Sequence, residues 1–157
     1  MICKTRRRGF SLIELVIVVV ILGIIGAIAI PRMSRGSEGA AESALKANLQ
    51  ALRGAIDLYA AEHGGAFPAL NDIEFQLTQY TDASGTVNAT KTGDFIYGPY
   101  LRSIPPLPVG SEQGSSDITG TPGEADHGWV YNATTGTIIS NTGTETTSDG
   151  TTRWDSF

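Results

Sequence analysis

The sequence predicts an α+β fold: one long amino-terminal helix packed on a small carboxy-terminal antiparallel β-sheet. Three observations carry this prediction. Leu15 to Ile30 reads LVIVVVILGIIGAIAI, sixteen residues without a charge. Leu45, Leu49, Leu52, Ile56 and Tyr59 then recur at spacings of 4, 3, 4 and 3, one stripe of an amphipathic helix. Near the other end, Trp129-Val-Tyr131 and Thr137-Ile-Ile139 flank Asn-Ala-Thr-Thr-Gly, the pattern of a hairpin.

The helix is expected from about Ser11 to Glu62. Phe10, Leu12 and Ile13 extend the apolar run to about 21 residues, interrupted by Ser11 and Glu14, or about 31 Å at the α-helical rise. That matches the thickness of a bilayer's hydrocarbon core. Alanine is abundant between 38 and 62, Glu42 and Lys46 form an i,i+4 pair, and Gly64-Gly65 stop the helix. Pro31, Gly36 and Gly39 are expected points of bending. The stripe from Leu45 to Tyr59 is expected to cover the core of the body that follows.

Beyond the helix the signals weaken. Asn71 to Tyr80 reads as a short helix, with Asn71 as N-cap and Glu74 three residues later. Residues 81–93 and 110–128 read as loops, and Tyr97 to Ile104 as a short strand ended by Pro105-Pro106. Trp129, Tyr131, Tyr97 and Phe95 read as sheet core. The tail from Ser140 to Thr152 is polar, yet Trp154 and Phe157 at its end suggest that it docks back onto the body.

Composition narrows the function. The formal net charge is -5, but Lys4, Arg6, Arg7 and Arg8 concentrate positive charge at the start, leaving seven Lys/Arg against sixteen Asp/Glu after Gly9. So acidic a body repels phosphate backbones, which excludes nucleic acid as a partner on a broad basic face. The terminal basic cluster reads as a membrane-orienting flank, holding residues 1–8 on the cytoplasmic side. Cys3 is the one cysteine, which excludes a disulfide scaffold or a cysteine metal site downstream of it. His63 and His127 lack metal-ligand spacing. Asn88-Ala-Thr90 and Asn132-Ala-Thr134 match the glycosylation triplet, a pattern common by chance. No nucleophile motif, phosphate-cradling glycine loop or catalytic carboxylate pair is present, so the chain is not expected to be an enzyme.

The residues KTRRRGFSLIELVIVVVILGIIGAIAIP at the amino end resemble the class III signal of type IV prepilins and pseudopilins. The matching parts are a short basic leader, Gly9 at the cut, Phe10 as first mature residue, Glu14 fifth after the cut, and an apolar helix to Pro31. The resemblance is close over about 25 residues and extends to about 50 with the amphipathic half of the helix. It implies that a membrane-embedded prepilin peptidase cuts between Gly9 and Phe10 and that the same enzyme N-methylates Phe10. Gly9 suits a tight protease cleft because it has no side chain. Glu14 would pair with the amino terminus of a neighbouring subunit and set the stagger of a helical homo-oligomeric filament. A carboxylate in an apolar segment costs a few kcal/mol and is rarely kept without a partner or function.

Two plainer readings stand beside it. Ser11-Leu-Ile-Glu14 matches a capping box, and both roles can hold at once. An ordinary secretory signal would use Ala27-Ile28-Ala29 as its cleavage site, but it leaves Glu14 unexplained and makes Gly9-Phe10 a coincidence.

The resemblance implies four parts: a cleaved leader over 1–9, a transmembrane and filament-core helix over 10–31, its amphipathic half over 32–63, and an α+β region over 64–157. More loosely, Tyr100-Leu-Arg-Ser-Ile-Pro-Pro-Leu-Pro and Gly128-Trp-Val-Tyr-Asn-Ala-Thr-Thr-Gly-Thr-Ile resemble the major pseudopilin family of type II secretion, general secretion pathway protein G. The implied function is a structural subunit of a periplasmic pseudopilus. Its partners would be the prepilin peptidase/N-methyltransferase, other pseudopilins, the inner-membrane assembly platform and the lipid bilayer. The location would be the inner membrane, single-pass, amino terminus cytoplasmic and body periplasmic. The alternatives are a surface type IV pilus subunit serving adhesion, motility or uptake, and an anchored domain that forms no filament. Many surface pilins close their last loop with a disulfide, which tilts the reading towards the pseudopilin. That family commonly binds Ca²⁺ in an acidic carboxy-terminal loop. Here the tail offers only Glu145, Asp149 and Asp155, so Asp149 and Asp155 are the calcium candidates, beside a second acidic loop at Asp117, Glu124 and Asp126. Solvated surface charge is the default for both loops, and no cofactor is expected.

Overall fold

In the computed structural model of the chain, residues 10–147 and 150–157 are described, with the backbone alone described across 28–37. The element order is α1 (Leu12–Glu62), α2 (Ile73–Thr78), β1 (Tyr80–Thr81), β2 (Val87–Asn88), β3 (Ile118–Thr119), β4 (Trp129–Asn132) and β5 (Thr137–Ser140). A short 3-10 helix at Trp154–Ser156 follows. The fold is α+β, as the sequence predicts. The chain divides into two compact units, Met1–Ser37 and Glu38–Phe157.

In the second unit, α1 buries the predicted stripe. Leu45, Leu49, Leu52, Ile56 and Tyr59 are all at most 3% exposed and form one cluster with Ile73, Leu77, Leu107, Trp129, Tyr131 and Ile138. The 4-3 spacing places these side chains on one helix face, and that face lies on the hairpin. Burial of this apolar surface is what holds the body, since each large side chain contributes about 1.5–3 kcal/mol. Gly64 and Gly65, with φ of 67° and 90°, end α1 in backbone that other residues rarely adopt.

The hairpin β4–β5 is antiparallel with Val130 opposite Ile139 and Tyr131 opposite Ile138. Asn132 closes it, its Oδ1 accepting the backbone N–H groups of Thr134 and Thr135 at 2.9 and 3.2 Å. This sheet is mixed, because β3 joins β4 in parallel, while β1 and β2 form a separate antiparallel pair. Both pairings involve segments that read as loops in the sequence. They are two-residue strands, too short to show alternation.

Other expectations are corrected. The short helix begins later, at Ile73, with Asp72 rather than Asn71 as N-cap and no side-chain cap bond. Tyr97 to Ile104 is not a strand: Tyr97 makes one isolated bridge to Thr81, and Pro99, Pro105 and Pro106 have no N–H to give a ladder. Phe95 and Tyr97 are therefore half-buried, whereas Trp129 and Tyr131 are buried. The tail does dock. Trp154 is buried, its main-chain oxygen accepts from the Ser140 hydroxyl at 2.9 Å, and Arg53 donates to the main-chain oxygen of Phe157 at 2.7 Å. Lys46 lies 4.2 Å over the Phe157 ring.

Candidate functional site at the amino end

The amino end is built by the first turn of α1. Leu15 and Glu14 donate their N–H groups to the Ser11 carbonyl at 3.2 and 3.1 Å, which starts the helix. The Glu14 carboxylate accepts the Ser11 N–H at 3.4 Å. That bond is one half of the capping box, with an acidic group at the positive end of the helix. Beyond it, Glu14 is exposed, as is every other residue from Phe10 to Ile25. Phe10 and Leu12 are more than four-fifths exposed, and Val16 to Ile25 stay around half exposed on every side of the helix. A helix apolar all round has no stable place in water and must be covered by lipid or by other helices.

Gly9, and with it the leader, lies outside the described residues. So the structure places Phe10 and Glu14 one turn apart at the helix start and leaves the cut itself undescribed. Pro31 falls inside α1, whose helical backbone runs through it. Among the described residues no helix is long and apolar enough to cross a membrane. The stretch with described side chains, residues 12–27, is sixteen long, below the about 20 that a span requires. The uncharged run in the sequence extends to Ile30.

Of the calcium candidates Asp149 and Asp155, the described residues include Asp155 alone. Asp149 lies outside the described residues, and Asp155 is engaged by the Arg153 guanidinium. Glu145 accepts the Ser111 N–H at 3.1 and 3.2 Å, Glu124 accepts the Thr119 hydroxyl, and the Asp126 N–H donates to Glu112 at 2.8 Å. Among the described residues no three His, Cys, Asp or Glu side chains are grouped to hold a metal ion. Glu145 and Glu112 thus accept backbone N–H groups of neighbouring loops.

The polar feature missed by sequence reading lies at the far end of α1. His63 stacks on Tyr59 with ring centroids 3.9 Å apart, and Tyr100 donates to the Glu62 carboxylate at 2.6 Å. Burial pushes the Tyr59, Tyr100 and Tyr131 phenols up from their ordinary value, Tyr131 to about 12. The negative charges of Asp82 and Asp72 add to the effect on Tyr59, and the bond to Glu62 adds to that on Tyr100. A histidine four residues after a stripe tyrosine was the only available signal.

Comparison with known proteins bears on the amino end alone. Residues 4–30 match the family model of the prokaryotic N-terminal methylation motif. No curated protein and no solved structure matches the chain. The matched segment contains Gly9, Phe10 and Glu14, and its motif implies processing by a prepilin peptidase and assembly into filaments of pilin-like subunits. Such subunits are structural and membrane-anchored at the amino end, so the match supports a place for this chain among type IV pilin-like prepilins.

Proposed function

We propose that the chain is a structural subunit of a periplasmic type II secretion pseudopilus, assembled through its amino-terminal helix. The observation that carries this is Glu14, an exposed carboxylate in the first turn of α1, whose residues 12–27 are otherwise apolar on every side. Among the described residues its bond to the Ser11 N–H, at 3.4 Å, is long and leaves most of its acceptor capacity open. Once the helix is packed among others, that carboxylate needs a positive partner. Cleavage after Gly9 creates one: the methylated amine of Phe10 on an adjacent copy. The pairing would set the axial stagger, a registry role for a buried ion pair.

In this reading residues 10–31 anchor the subunit in the inner membrane, with the body facing the periplasm, and the chain has no enzymatic role. The pseudopilus is favoured over a surface pilus because the one cysteine, Cys3, falls in the leader. The mature body then has no disulfide to brace it against external shear.

Intact mass of the protein from its native host tests processing: loss of residues 1–9 with a methylated Phe10 is expected, and an uncut chain or one starting near Ile30 overturns it. Glu14→Val should be processed but fail to assemble. Deleting the gene should stop export of folded proteins; loss of surface fibres with export intact would instead identify a surface pilus.

A further inference from the structure

Two triplets of the form Asn-X-Thr stand outside every role described so far, Asn88-Ala-Thr90 and Asn132-Ala-Thr134. The pattern arises by chance, and its place in the fold decides whether it carries meaning. Both triplets begin at a strand exit, with Asn88 the last residue of β2 and Asn132 the last of β4. In each, the carboxamide oxygen accepts the N–H of the threonine, at 3.0 Å from Thr90 and 2.9 Å from Thr134. Among the described residues neither Nδ2 donates a hydrogen bond, so both amide nitrogens keep their donor capacity.

The two triplets differ in what else holds them. At the first, the Thr90 hydroxyl also donates to the Asn88 carboxamide oxygen at 3.2 Å, so the two side chains that define the triplet touch. At the second, the Asn132 oxygen takes the Thr135 N–H instead, in the hairpin that supplies Trp129, Tyr131 and Ile138 to the core. A modifying enzyme must draw the triplet into its own cleft, which requires local opening. Among the described residues β2 is paired with β1 alone, is two residues long, and runs into exposed chain from Ala89 to Asp94. Such an edge opens at little cost, whereas opening β4–β5 uncovers the core.

We propose that Asn88 is an N-glycosylation site and that Asn132 is not, a proposal that rests on the reading above of a body facing the periplasm. The donor is a glycan carried on a lipid pyrophosphate, and the catalyst a membrane-bound oligosaccharyltransferase. Asn88 Nδ2 attacks C1 of the first sugar and forms the N–C1 bond. The C1–O bond breaks, the lipid pyrophosphate leaves with its electron pair, and one amide proton passes to a base of the transferase. Nothing is oxidised or reduced. The product sets a bulky hydrophilic group beside the β2 edge. Unpaired strand edges recruit other chains, and the glycan shields this one.

Mass spectrometry of a tryptic digest, made from the protein purified from its native host, tests this. The peptide of residues 54–91 should carry at least one sugar residue on Asn88, and the peptide of residues 103–153, which holds Asn132, should carry none. Thr90→Ala should abolish the increment although Asn88 remains, and Thr90→Ser should keep it. A bare Asn88 in the native protein, sugar retained in Thr90→Ala, or sugar on Asn132 overturns the proposal. The same digest reads the amino end separately. Loss of residues 1–9 with a bare Asn88 removes the glycan and leaves the filament reading standing. A sugar on Asn88 of an uncut chain supports the site and counts against the filament.

Discussion

In the proposed reading Gly9 serves the cut and Glu14 serves assembly after it, so their substitutions should separate. Gly9→Val places a branched side chain where an extended backbone must enter the peptidase, so processing should stop. An immunoblot showing the mature size would place the cut elsewhere. Glu14 would act after the cut, so its substitution should leave the size unchanged and remove sedimentable filaments. Tyr131 offers a third test at this scale. Its hydroxyl donates to the Pro68 carbonyl at 3.0 Å inside the core, and its phenol is pushed up to about 12. The unfolded chain ionises near the ordinary value of 10.0. The neutral phenol thus favours the fold, with its full contribution present below pH 10 and lost as pH rises to about 12. Alkaline titration should show tyrosinate absorbance appearing together with loss of structure. Full ionisation of the tyrosines in a still-folded chain would contradict this burial.

At the scale of elements, α1 and the β4–β5 hairpin hold the body together, and each has a diagnostic change. Leu52 is fully buried against the hairpin, so Leu52→Ala removes packed volume and should cost about 3 kcal/mol, lowering the thermal midpoint by roughly 10 °C. Gly136 closes the hairpin with φ of 70°, and a Cβ there would run into the Phe67 ring. Gly136→Ala adds backbone strain to that collision and should cost about 2 kcal/mol. A midpoint unchanged in either variant would mean that the hairpin does not pack as described. The acidic loops behave differently, since their carboxylates are bonded to backbone N–H groups and to Arg153. Chelation with EDTA should leave the midpoint within about 1 °C, and a larger fall would show that a metal holds the tail.

For the whole molecule, the two units make opposite demands on solvent. Glu38–Phe157 carries the buried cluster, while residues 10–25 of the other unit are exposed and almost wholly apolar. A chain starting at Glu38 should therefore unfold cooperatively in plain buffer and remain monomeric. The processed chain starting at Phe10 should need detergent or assembly to stay in solution. Aggregation of the shorter chain, seen by sedimentation, would show that the body exposes an apolar surface of its own.

The amino-terminal signal, the long helix, its buried stripe and the hairpin were all legible in the sequence. Each is local: a fixed order of residue types, or a period of 3.6 or 2 sustained over enough residues to exceed chance. Glu14 stood out for the same reason, as one charge in an apolar run. The β1–β2 pair, the parallel strand β3 and the irregular course of residues 95–104 were not legible. Two-residue strands have no period, and their partners lie up to 11 residues away in the chain. The hydrogen-bond partners of the acidic loops and of His63 belong to the same class. Whether a carboxylate binds a cation or a backbone N–H, and whether an imidazole faces one carbonyl or two, depends on which loops the packed core brings within 3 Å. Local pattern decides where helix and hairpin form; the closing of the core decides what the polar side chains between them touch.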